Sequence, residues 1–170
     1  MIRALVAALA LSGCVNVALP FDAELCVSDH ITPGRVEALG IAIESWRFST
    51  HGTVDLSQRI TDDPSACAYS VQPWRFRGHT TLGGTLRTPD QIKILVDQGE
   101  DLTLGGPLAV EFFVHEIGHA LGLEHAREGV MQPVTAGEFG GCIDAGTLDA
   151  FCETRGCPLG VTDTCEGVIR

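Results

Sequence analysis

The chain has 170 residues and a mass of 18.0 kDa, which suits one domain with a modest core. With 45% hydrophobic and 19% charged residues it is neither a disordered tail nor a low-complexity fibre, and a formal charge of −11 repels phosphate backbones, so nucleic acid is excluded as an expected partner. Seven cysteines in so short a chain suit an oxidising compartment, and the odd number asks for one cysteine with a separate task.

The first segment supplies that cysteine. Arg3 precedes an apolar run from Ala4 to Leu11, the charged start and apolar middle of an export signal, too short to span a bilayer. Leu11-Ser12-Gly13-Cys14 resembles the bacterial lipobox, in which the signal is cut before the cysteine and that cysteine receives lipid. Residues 1–13 are therefore expected to be a lipoprotein-type signal peptide and Cys14 the lipidation site, holding the domain on a membrane surface of the cell envelope. Simple secretion after an ordinary signal is the alternative. Cys26, Cys67, Cys142, Cys152, Cys157 and Cys165 then remain as an even set of disulfide candidates.

Residues 14–24 read as a tether without a strong period, and residues 25–170 as one domain. Thr32-Pro33 opens a helix whose Val36, Leu39, Ile43 and Trp46 recur at helical spacing. Thr53 to Ile60, Cys67 to Trp74, Thr80 to Leu86 and Gln91 to Val96 have β character between turn signals, and suggest a small sheet. Gly105-Gly106-Pro107 opens a second helix, apolar on more than one side from Leu108 to Leu121 and ended by Gly122. A short last helix is expected from Thr147 to Arg155. Trp46 and Trp74 are expected in the core.

The chemistry sits in the second helix. His115 and His119 are four apart, so both imidazoles leave one face about a turn from each other and can hold one metal ion. Glu116 lies beside them, off the metal, where it can take a proton from water. Gly122 permits a sharp turn that swings His125 round to the same ion. Three neutral imidazoles suit zinc with a fourth position open, the arrangement of a catalytic rather than a scaffolding site. At this composition the full His-Glu-x-x-His-x-x-Gly-x-x-His pattern arises by chance in roughly one chain in twenty thousand, against roughly one in a hundred for its first five positions. The extension therefore decides against two ordinary core histidines.

These residues resemble the long zinc signature of the metzincin metallopeptidases, and Gly129-Val130-Met131-Gln132-Pro133 resembles their Met-turn, with Met131 beneath the metal. Leu121 to His125 and the Met-x-Pro turn are most similar to the matrixin branch. The resemblance implies an α+β fold in two parts: a twisted mixed sheet with two helices above the cleft, and a smaller C-terminal part with one helix. It implies zinc held by His115, His119 and His125, Glu116 as the catalytic base, and a peptide or protein substrate lying along an edge strand. Here that edge is Gly78 to Leu86 or Gln91 to Val96; the sequence leaves both open. Gln132 to Thr135 would form part of the substrate pocket wall.

The chain also departs from that pattern. Cys26 in Glu24-Leu25-Cys26-Val27 does not match the Pro-Arg-Cys-Gly type of latency motif. Pro133 stands where some metzincins place a tyrosine ligand, and Tyr69 is the chain's single tyrosine. Four late cysteines suggest a C-terminal part stapled in its own way, with Cys26 joined to Cys67 and the late four joined among themselves. Asp62, Asp63, Asp97 and Asp101 form no spaced calcium loop, so calcium is left open. His30, His51 and His79 are scattered and read as surface or hydrogen-bonded histidines. The expected function is a zinc endopeptidase; the alternatives are a zinc-holding peptide-binding module without turnover and a zinc hydrolase of cell-wall peptides. Oligomeric state is not legible.

Overall fold

A computed structural model of the chain describes residues 18–75, 82–98, 106–133 and 137–165. The signal segment, Cys14, His79 and Asp101 lie outside these residues, as do residues 134 and 135 of the expected pocket wall. Among the described residues the fold is α+β, a five-stranded mixed sheet with three α-helices and three disulfides. Among the described residues no helix is long and apolar enough to cross a membrane.

The strands are β1 (Glu24–Ser28), β2 (Ser57–Thr61), β3 (Tyr69–Trp74), β4 (Gly83–Arg87) and β5 (Ile92–Asp97), in the order β2-β1-β3-β5-β4. β1 runs parallel to β2 and β3, and β3 parallel to β5, whereas β4 is antiparallel to β5 and forms an edge. Register decides what each face carries. Val27 pairs with Val71, Val71 with Ile94, and Ile94 with Thr85, so these side chains share one face and the alternate positions share the other.

α1 (Pro33–Ser49) and α2 (Pro107–Ala120) cover the first face. Pro33 sits in the first turn of α1, where its missing N–H costs nothing, and Ala38, Leu39, Ala42, Ile43 and Trp46 form the buried stripe. The Trp46 indole N–H donates to the Val114 carbonyl at 3.0 Å and ties the helices together. Beyond Ser49, the Thr50 hydroxyl donates to Trp46 O at 2.6 Å and accepts from Val54 N–H, turning the chain towards β2. α3 (Ala145–Arg155) closes the domain below, its Phe151 ring 5.6 Å from Trp46 and 5.8 Å from Phe21.

Several expectations are corrected. β1 was not anticipated, because Leu25-Cys26-Val27 is apolar throughout and shows no alternation; Leu25 and Val27 are buried on one face and Cys26, bonded to Cys67, on the other. The tether drawn to residue 24 is docked from Leu19 onward. Leu19 is fully buried, its N–H donates to Ala120 O at 2.7 Å, and Arg155 donates to its carbonyl at 2.8 Å. β2 begins at Ser57, not at Thr53, since Thr50 to Thr53 form the turn leaving α1. α3 starts two residues early, at Ala145, where Asp144 caps it. Trp74 is 52% exposed, because it ends β3 on the sheet's outer face opposite Asp97. Trp46 is buried as expected.

The disulfides are Cys26–Cys67, Cys142–Cys165 and Cys152–Cys157, so Cys26 does join Cys67 and the late four do pair among themselves. His51 is hydrogen-bonded, to Leu159 O at 2.9 Å and Thr162 Oγ1 at 2.6 Å, and holds the C-terminal segment against the end of α1.

Candidate metal centre

α2 delivers His115, Glu116 and His119 from one helical face, and its C-terminus delivers His125. Gly122 adopts φ 100, Leu123 N–H returns to Gly118 O at 2.9 Å, and Gly122 N–H to His119 O at 3.0 Å. This pair of bonds is a Schellman cap, and the left-handed residue at its centre reverses the chain. The reversal brings His125 back to the helix face. One nitrogen from each of His115, His119 and His125 lies within 4.8 Å of the other two, and the Nε2 atoms of His119 and His125 are 3.1 Å apart. The three side chains could therefore hold a metal ion. Among the described residues no other such group of His, Cys, Asp and Glu side chains occurs, and Asp62, Asp63 and Asp97 join none.

The donor chemistry fits a cation. His115 Nδ1 lies 2.8 Å from Val130 O and His119 Nδ1 lies 2.8 Å from Leu123 O. A carbonyl only accepts, so each Nδ1 carries the proton and each Nε2 keeps its lone pair for an ion. Burial, reinforced by His119 and His125, outweighs the Val130 bond and pushes His115 down to about 4. Burial likewise lowers His119. Both rings are thus neutral ligands at neutral pH. His125 is exposed, so the group opens to solvent on that side.

Glu116 is 5% exposed, and burial pushes its carboxyl up from 4.5 to about 7 against the opposing bond from Thr85. Thr85 Oγ1 donates to Glu116 Oε2 at 2.7 Å. In the metal-free protein a carboxyl near neutrality can exchange a proton at working pH, and a cation bound nearby would favour its ionised, proton-accepting form.

The turn after His125 supports the group from below. Met131 is buried, and a Cβ at Gly118 would lie 2.5 Å from its sulfur, so Met131 packs against bare helix backbone next to His119. Ala126 N–H donates to Met131 O at 2.8 Å, which ties the residue after His125 to the same turn. Val130 is held at both ends: its carbonyl takes His115, and its N–H donates to Asp144 Oδ2 at 2.8 Å. Asp144 also caps α3 through Thr147 N–H at 3.1 Å. Gly129, at φ 84, has no room for a Cβ beside that carboxylate.

Sequence reasoning named the three histidines, Glu116, Gly122 and Met131. It missed Gly118, Thr85, Asp144 and Glu111, the last a buried carboxylate accepting backbone N–H groups of Gly137, Phe139 and Gly140. Asp144 three residues before Thr147 had a readable signal, since aspartate is a favoured N-cap. The other three act across the fold and leave none. No protein-family model matches the chain, and no curated protein sequence does either.

Proposed function

We propose that the chain is a zinc-dependent endopeptidase with a metzincin-like, matrixin-type catalytic domain. The single observation that carries this reading is the convergence of His115, His119 and His125 nitrogens within 4.8 Å, next to a buried glutamate outside the ligand set. Three neutral imidazoles with an open fourth position are a catalytic zinc donor set. Zinc held there would supply Lewis acidity, polarising a carbonyl oxygen and acidifying water towards a pKa of about 7.

The chain's own groups do the rest. Glu116 accepts a proton from the attacking water and hands it to the leaving amine, with its carboxylate held outside the ligand set. β4 is an edge strand beside α2, so its unpaired side offers main-chain hydrogen bonds to an extended peptide. The placement of Met131 against Gly118, and of α3 below the sheet-and-helix part, supports the two-part reading. The three disulfides and the lipobox-like segment support an exported protein held on the envelope through Cys14. Labelled fatty acid should enter the wild type and not Cys14→Ala; equal labelling removes the anchor.

Zinc-loaded protein should cut a quenched peptide library, stop with chelator and resume with added zinc. Tight peptide binding without products would replace the enzyme by a zinc-holding binding module.

A further inference from the structure

Three residues of β4 face α2, and they do so in step with the helix. By register, Gly83, Thr85 and Arg87 oppose Val96, Ile94 and Ile92 on the helix-covered face. Gly83 has no room for a Cβ, which would meet the Leu95 carbonyl of β5 first and the Phe112 ring next, Thr85 bonds Glu116, and Arg87 pairs with Glu124 at 3.0 Å. Four helix residues rise about 6 Å and two strand residues about 6.6 Å, so Gly83–Phe112 and Thr85–Glu116 are matched contacts of neighbouring elements. The absence of a side chain at Gly83 lets β4 lie close to both the β5 backbone and the Phe112 ring, and in that position the Thr85 hydroxyl reaches the base.

The geometry points to Thr85 as a positioning residue that fixes the Glu116 carboxylate, so that Oε2 is tied to the edge strand and Oε1 handles the proton. This rests on the hydrolytic reading of Glu116. A glutamate has three side-chain torsions, and a proton acceptor must be held within a fraction of an ångström of its task. The Thr85 hydroxyl, 2.7 Å from Oε2 and 3.1 Å from the Glu116 main-chain oxygen, reaches both ends of the residue. It also couples the base to the strand on which a peptide would lie, so the base and the substrate share one reference frame.

The test compares Thr85→Val, which keeps the shape and removes the hydroxyl, with Thr85→Ser, which keeps the hydroxyl. On a quenched peptide, Thr85→Val should lower kcat about tenfold, the worth of one hydrogen bond to a charged group, while KM stays within about twofold. Bound zinc should stay at the wild-type level, and Thr85→Ser should recover most of kcat. A second readout needs no turnover: in metal-free protein, the melting shift caused by Thr85→Val should largely vanish in a Glu116→Ala background. Full kcat in Thr85→Val, or additive melting shifts, overturns the inference alone. A wild type that binds zinc yet cuts no peptide sinks the hydrolytic reading, and the positioning role with it.

Discussion

The two ends of α2 each bury a glutamate, and they use it in opposite ways. Glu111 near the N-terminal end accepts backbone N–H groups from Gly137, Phe139 and Gly140, and so holds a glycine-rich loop whose Phe139 packs against the core. Glu116, five residues on, has the Thr85 hydroxyl on one oxygen and follows His115, the first of the three clustered imidazoles, directly in the helix. Three backbone donors hold the Glu111 carboxylate in one place, whereas burial with a single hydroxyl partner pushes the Glu116 carboxyl up to about 7. One carboxylate is structural and the other is available for chemistry, although the same helix buries both.

The largest expected effect separates them by function. Glu116→Gln should keep zinc yet lose about 100- to 10,000-fold in kcat, because the base is removed and the ligands are not. Glu111→Gln should instead cost about 3 kcal/mol of stability, seen in chemical denaturation, with zinc still bound by the folded fraction. A Glu111 variant as inactive as the Glu116 variant, at equal stability, would erase the distinction.

Much of this was legible in the residues and much was not. The zinc-type spacing is local, with His115, His119, Gly122 and His125 falling within eleven residues, so helix geometry and one glycine turn suffice to join them. The same holds for α1, whose proline start and apolar spacing are internal to the segment. β1 escaped because a strand buried on both faces, here with Cys26 covered through its disulfide to Cys67, loses the alternation that betrays a strand at a surface. Thr85 and Glu116 are 31 residues apart, and their contact depends on β4 taking the edge position, which no local pattern specifies. Trp74 misled because a large aromatic reads as core, while strand parity put it on the outer face.

Next in size is a pH effect on the metal-free protein. The folded Glu116 carboxyl titrates near 7 and the unfolded one near 4.5, so the folded state binds the proton more tightly. Its contribution is present below pH 4.5 and is lost as pH rises through 7, on the order of 3 kcal/mol in all. His115 runs the other way: its neutral form is held down to about 4, so its contribution is present above 6.5 and lost as pH falls through 4. Glu116→Gln should therefore melt near the wild type at pH 4 and gain on it steadily up to pH 8. A constant offset over that range would contradict the burial argument.

The smallest effect probes the underside of the site. Gly118→Ala should cost about 1 to 2 kcal/mol, because the added methyl meets the Met131 sulfur and one of them must move. Pairing it with Met131→Ala should recover part of that loss, and equal losses in both backgrounds would mean that the two residues do not press on each other.

The account depends most on three imidazoles sharing one ion, and zinc content measured after exhaustive dialysis tests this directly. Wild type should retain one zinc per chain and His119→Ala essentially none; retention of a full zinc equivalent by His119→Ala would place the metal elsewhere and contradict the account.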